Sequence, residues 1–249
     1  MPSTVDPIAN SVWARPPRTR AGQPALSRGQ ILRAALDLLD AEGPDGLSMR
    51  RLGTKLGAGA TSIYWHVANK DELLDLAIDE VMGEIQLPAA PGADWRAAAT
   101  ALADGLRSMI LRHPWITGLF GIRPNIGPNS MRLSDWALAM LTAAGFSGME
   151  AACVSSALTS YAIGSATTEA AWRAAVARSG MTAQDLTKSV ETYQLSTGDE
   201  YPTLGRWSRE NSPLDIEKLQ EDSFVYGLGL LLDALVSRLD RARVIPRPG

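Results

Sequence analysis

The sequence predicts an all-α protein, with a small N-terminal unit of three short helices joined to a larger helical body. Three observations predict it. Apolar residues recur at three- and four-residue spacing along most of the chain. No segment alternates polar and apolar residues with the period of two that a half-buried strand requires. Gly, Pro, Asn and Ser cluster at 87–94, 121–129 and 196–213, where helices must stop.

In chain order, residues 1–25 carry Pro2, Pro7, Pro16, Pro17 and Pro24, and read as a mostly disordered arm. Its Arg15, Arg18 and Arg20 are positioned either to follow a phosphate backbone or to sit in water, and the solvated tail is the preferred reading. Ser27 caps a first helix whose apolar stripe is Ile31, Ala35, Leu38 and Leu39, and Gly43 stops it. Ser48 caps a second, short helix with Met49, Leu52 and Leu56 inward and Arg50, Arg51 and Lys55 on its other sides. Gly57 to Ala60 form a turn of small residues. A third, very short helix follows from Thr61 to Val67. Asn69 caps a fourth, with Asp71 and Glu72 at its positive end and Leu73, Leu74, Ile78, Val81 and Ile85 buried. Longer helices are predicted at 94–112, 115–121, 128–144, 148–178, 182–195 and 214–240. Residues 196–213 read as a long connector or lid carrying Tyr201, Arg206 and Trp207, and residues 244–249 as a frayed tail.

Composition removes several classes. With 45% hydrophobic and 20% charged residues the chain is too apolar to be disordered throughout. A single cysteine excludes a disulfide scaffold, and Cys153, inside an apolar helical run, reads as core. No apolar run reaches the roughly 18–20 residues that a membrane span needs, so no membrane partner is expected. The N-terminus shows no apolar signal region, and the expected location is cytoplasmic. There is no Gly-rich phosphate loop, nucleophile elbow or His/Cys cluster, so the chain reads as no enzyme, with no metal and no cofactor.

The net charge of −3 conceals an asymmetry. Residues 1–70 hold nine Lys and Arg against five acids, a balance of +4, and the remainder stands at −7. Only the first part therefore invites an anionic partner. Two short helices joined by a tight turn are a helix-turn-helix, whose second helix places its N-terminal end in a DNA major groove. Thr61 and Ser62 are the polar residues at that end. Tyr64, Trp65, His66 and Lys70 supply donors for the flanking phosphates, and Ser48 joins the same set. Arg50 suits a bidentate pair with guanine. The competing reading puts Tyr64 and Trp65 in the core and leaves Arg50 and Arg51 on a solvated face. Ile63 and Val67, however, already supply the inward face of so short a helix.

Residues 27–85 resemble the N-terminal domain of TetR-family transcriptional repressors, most closely the branch of the tetracycline repressor. The span from Ser62 to Leu74, with Tyr64-Trp65-His66 followed by Lys70-Asp71-Glu72-Leu73-Leu74, carries the resemblance. It implies that Arg50 reads a base, that Thr61, Ser62, Tyr64, Trp65 and His66 occupy recognition-helix contact positions, and that Lys70 binds phosphate. Gly59, Ala60 and Thr61 stand where that repressor has larger polar residues and a proline, so a different operator is expected. The turn Gly121-Ile122-Arg123-Pro124 is similar too, but Leu119 replaces the histidine that helps hold the tetracycline-bound magnesium, which argues against a magnesium–tetracycline site.

After residue 90 the body is read from physics. The small residues of 148–178 and the apolar residues Leu219, Phe224, Leu228, Leu231, Leu235 and Leu239 of 214–240 suit a homodimer bundle. Leu102, Leu106, Met109, Trp115, Phe120, Trp136, Met140, Tyr161 and Trp172 are candidates to line a pocket for a small organic effector, although core packing explains each of them singly equally well. His113 is a weaker polar candidate, since a histidine before Pro114 is more often a helix-end residue. The expected domains are an arm (1–25), a helix-turn-helix domain (26–70), a connecting helix (71–86), a ligand-binding and dimerisation domain (87–243) and a tail (244–249). The expected function is a homodimeric repressor of double-stranded operator DNA, released by a mainly apolar small molecule. The alternative is an all-helical interaction or enzyme domain that binds no DNA.

Overall fold

The structure, a computed structural model, describes residues 12–14, 26–88, 94–123 and 125–244. The predicted arm thus lies outside the described residues except for Val12–Ala14, and the tail except for Val244. Among the described residues the chain forms ten α-helices and one 3₁₀ turn, with no strand. It divides into two compact units, residues 1–155 and 156–249, the division falling inside the long helix Met149–Ser179.

In the first unit, α1 (Arg28–Gly46) opens on a reciprocal cap. Ser27 Oγ accepts the Gln30 amide at 3.2 Å, and Gln30 Oε1 accepts the Ser27 amide at 2.8 Å. Gly43 (φ 70°) breaks the helix, and Pro44 starts one further turn. Ser48 caps α2 (Met49–Lys55), accepting Arg51 N at 3.2 Å. Next come α3 (Ala60–Tyr64) and α4 (Lys70–Met82), the latter capped by Asn69, which accepts Glu72 N at 2.8 Å. Ile31, Leu39, Leu52, Ile63 and Leu73 meet at no more than 1% exposure. Each such side chain stabilises the unit by about 1.5–3 kcal/mol through burial. The remaining elements here are α5 (Trp95–Arg112), a 3₁₀ turn (Pro114–Gly118), α6 (Pro128–Ala144) and the first turns of α7 (Met149–Ser179).

The helix predicted at 115–121 is only that 3₁₀ turn. Pro114 starts it without an amide hydrogen, and too few residues precede Gly121 (φ 77°) for an α-helical ladder. Cys153 is exposed rather than core, because α7 is apolar on several faces and its composition does not say which face is inward.

In the second unit the rest of α7 is followed by α8 (Ala183–Ser196), α9 (Pro202–Asn211) and α10 (Ile216–Val244). The predicted connector at 196–213 is therefore largely helix. Pro202 suits the first helical position because its missing donor has no partner there anyway. Gly205 lets α9 approach the α8 end so closely that a Cβ there would lie 2.8 Å from Gly198 Cα. The residues that looked like loop markers are thus a helix start and a helix crossing. On α10, Phe224, Leu228 and Leu239 are buried inside the protomer, so they cannot form the surface stripe proposed for a partner. Among the described side chains, the large exposed apolar residues of that helix are Val225, Tyr226 and Leu230. A one-face reading of the leucines missed that the helix is apolar on two sides.

Candidate nucleic-acid interface

Helix α3 is too short to bury more than one face. Ile63 (0% exposed) takes that face; the helix ends at Tyr64 rather than at Val67 as expected, Val67 (1%) is buried in the turn that follows, and Tyr64 (46%) and Trp65 (56%) are left outside. Thr61 and Ser62 are also exposed, and His66 is half-buried. The core-aromatic alternative for Tyr64 and Trp65 does not hold in this fold.

The two arginines of α2 separate cleanly. Arg51 is clamped by Glu42 of α1, with Nη1 at 2.6 Å from Oε2, and also donates to Gly46 O at 2.8 Å. Arg50 is exposed, with no carboxylate partner among the described residues. Lys55 pairs with Asp37 at 3.0 Å. Lys70 Nζ donates to Pro44 O at 2.6 Å, which draws α4 toward the end of α1 and leaves two ammonium hydrogens for another acceptor. The hydroxyl of Ser48 caps α2 and keeps its own hydrogen to donate.

Behind this surface, polar contacts tie the N-terminal helices to α5, α6 and the turns between them. His113, 8% exposed, sits between Asp40 of α1 (Nδ1 to Oδ1, 2.7 Å) and Glu84 just after α4 (Nε2 to Oε1, 3.1 Å). Trp115 Nε1 donates to the same Asp40 oxygen at 2.7 Å, and Arg112 Nη2 to Glu84 at 2.8 Å. Asp79 of α4 is buried and caps α6. It accepts Ser130 N at 2.9 Å, Asn129 N at 3.2 Å and the Ser130 hydroxyl at 3.1 Å. Gly127 is required here, since a Cβ at that position would collide with the Asp79 carboxylate. Arg123 holds Asp75 at 2.8 Å and also Asp71. Partial burial works against its charge, but the hydrogen bonds and charges of Asp75 and Asp71 outweigh that and hold its pKa above the ordinary arginine value.

Sequence reasoning missed Asp40, Glu84 and Asp79 altogether. It saw Arg123 only as part of a turn and His113 only as a helix-end residue. Gly127 followed by Pro128, a helix start without a capping side chain of its own, was the one available hint that Asp79 would be supplied from elsewhere.

The nine candidate ligand residues divide between the units. Leu102, Leu106, Met109 and Met140 are core side chains where α5 meets α6. Phe120 lines a cavity of about 50 Å³ with Trp13, Ile78, Ile116 and Arg123, far smaller than the roughly 300–1,000 Å³ of a drug-sized site. Trp115 is buried with its N–H on Asp40, and Trp136 donates to Pro88 O at 3.0 Å. In the second unit, Tyr161 stacks on Phe224 at 5.8 Å and donates to Ser223 O at 2.9 Å. Trp172 lies on α7 with a buried N–H that has no acceptor. No group of three or more His, Cys, Asp or Glu among the described residues is arranged to hold a metal ion. None of the described helices alone is long and apolar enough to cross a membrane.

Two family models match the chain. Residues 31–77 match the tetR family of bacterial regulatory proteins, and residues 87–239 match the tetracyclin repressor-like C-terminal domain. An HTH-type transcriptional regulator of Saccharopolyspora erythraea is 42% identical over 171 residues, covering 69% of this chain and 72% of that protein. The HTH-type transcriptional repressor DrrR1 of Streptomyces coeruleorubidus is 31% identical over 220 residues, covering 87% and 80%. Apo ActR of Streptomyces coelicolor superposes with a TM-score of 0.72 at 29% identity, covering 89% of this chain and all of that one. The same protein has been solved in complex with actinorhodin, with a TM-score of 0.70.

Proposed function

The chain belongs to the TetR family of bacterial transcriptional regulators, and from that premise we propose that it is a homodimeric repressor released from operator DNA by a mainly apolar, polycyclic small molecule. The observation that carries the DNA reading is the sidedness of α3 and the turn after it, with Ile63 and Val67 inward and Tyr64 and Trp65 outward, together with the exposed Arg50 of α2. In this reading Arg50, Thr61 and Ser62 meet base edges, and Ser48, Tyr64, Trp65, His66 and Lys70 meet phosphates. Residues 26–70 form the reading domain, 71–86 the connecting helix and 87–243 the sensing and dimerisation domain. The protein acts in the cytoplasm, where the operator is, and not as an enzyme.

The name of DrrR1 supports repression, and the actinorhodin complex of ActR supports an organic effector. Dimerisation through α7 and α10 is supported by exposed small residues on α7 (Ala157, Ser160, Gly164) and by Val225, Tyr226 and Leu230 on α10. A dimer sets two α3 helices about 34–36 Å apart, one DNA turn. Effector that prefers another spacing releases DNA, and DNA must weaken effector binding by the same factor.

The test is binding to the DNA upstream of the chain's own gene, followed by titration with actinorhodin as a polycyclic probe. Retarded DNA that is released in proportion to probe, and probe affinity reduced by DNA to the same extent, is the expected result. Absence of any sequence-dependent binding overturns the repressor reading.

A further inference from the structure

The sequence predicts a solvated arm, yet Trp13, in the described turn Val12–Ala14, is half-buried. It borders a small cleft together with Asp75 and Ile78 of α4, Ile116 of the 3₁₀ turn, and Phe120 and Arg123 after it. All of these residues belong to the first compact unit. The space left beside the indole is about 50 Å³, which admits water but no drug-sized molecule. Phe120, a candidate effector residue, thus shares its cleft with a side chain of the same protein.

Local structure gives Trp13 no reason to be there. It precedes the Ser27 cap, so no helix among the described residues carries it to α4. Fixing a distant piece of chain costs backbone and loop-closure entropy. What offsets that cost is burial of the largest apolar side chain, about 150–250 Å² when fully covered.

The same cleft is where α4 is tied to the turn after the 3₁₀ element. Arg123 Nη1 holds Asp75 at 2.8 Å, and the two side chains are only 19% and 23% exposed. Arg123 Nη1 also donates to the Asp71 carbonyl at 3.1 Å. An ion pair of this kind strengthens as water is excluded from it. Trp13 supplies apolar bulk at its edge. Asp71 in turn adjoins Lys70, which opens α4.

We infer that Trp13 is a positioning residue: seated between α4 and the 3₁₀ turn, its indole keeps water from the Arg123–Asp75 pair and so holds the N-terminal half of α4, with Lys70 at its end, in the position that engages the operator. This rests on the DNA reading above and adds to it a residue that touches no DNA.

The test uses the full-length chain as Trp13→Ala, Trp13→Phe, Arg123→Ala and the double variant of Trp13→Ala with Arg123→Ala. Hydrogen–deuterium exchange of the α4 amides from Leu73 to Ile78 reads the hold on α4 without DNA. Fluorescence anisotropy reads affinity for the DNA upstream of the chain's own gene. Trp13→Ala is expected to speed that exchange by about 3- to 10-fold and to weaken DNA binding by about the same factor. Trp13→Phe keeps most of both, since a ring still fills the cleft. The double variant loses no more than Arg123→Ala alone, because Trp13 acts through the pair. If Trp13→Ala does not fold, Trp13→Leu takes its place in each comparison.

Unchanged exchange in Trp13→Ala overturns the inference, and so does faster exchange with unchanged DNA affinity. Losses that add in the double variant overturn it too, since Trp13 would then pack independently of Arg123. A wild type that binds no DNA, while Trp13→Ala still loosens α4, leaves the hold on α4 as assigned and removes the repressor reading instead.

Discussion

Arg50 and Arg51 are adjacent in the chain, and the roughly 100° between successive residues of α2 sends them to different tasks. Arg51 closes on Glu42 and the Gly46 carbonyl, fixing α2 to the end of α1. Arg50 stays exposed. Arg50→Ala is expected to melt like wild type and to weaken operator binding at least about tenfold, the range of a lost base pairing, as measured by fluorescence anisotropy. Arg51→Ala is expected to lower the melting temperature. The hydrogen bond from Arg51 is the main cause that holds the Glu42 carboxyl below the usual glutamate range; desolvation opposes it, and the charge of Arg51 adds a lesser lowering. The pair's contribution is thus fully present at neutral pH and lost only as pH falls through that lowered value. The Arg51→Ala deficit should be the same at about pH 6 and about pH 8. The two arginines look alike in the sequence, and only the position of Glu42 in space separates them.

At the scale of elements, Asp79 makes the N-terminus of α6 depend on α4. Four donors of α6 residues converge on its carboxylate, two of them backbone amides. Asp79→Ala is expected to destabilise the protein by about 2–4 kcal/mol in urea unfolding, since it strands buried donors and removes charge from a helix N-terminus. Asp79→Asn should lose less, because one amide oxygen still accepts. An equal effect of the two would mean that packing, not capping, is what Asp79 supplies. The helices themselves were legible in advance wherever a cap and a stripe coincide: Ser27 with Ile31 and Leu39, Ser48 with Leu52, Asn69 with Leu73 and Ile78. They were misread where the marker residues serve another purpose. Pro202 and Gly205 begin and pack α9 instead of marking a loop, and Phe224 and Leu228 of α10 face inward, leaving Tyr226 and Leu230 outside.

At the scale of the molecule, the +4 balance of residues 1–70 against the −7 of the remainder restricts phosphate attraction to the N-terminal part. Operator affinity should fall linearly on a log–log plot against salt, and Lys70→Ala should make that slope shallower by about one unit per DNA-bound protomer. An unchanged slope would show that the ammonium is fully occupied by the Pro44 carbonyl.

What the sequence determined by itself is the all-helical fold and the DNA-reading motif, because caps, periodicity and the length of α3 are local properties. A five-residue helix has room to bury Ile63 and little else, so the exposure of Tyr64 followed from counting. What only the tertiary structure decided are the contacts that join distant segments: His113 between Asp40 and Glu84, Arg123 on Asp71 and Asp75, Asp79 under α6, and the unanswered N–H of Trp172. Partners separated by about 30 to 75 positions leave no local pattern, since hydrogen bonding depends on which side chains packing brings within about 3 Å.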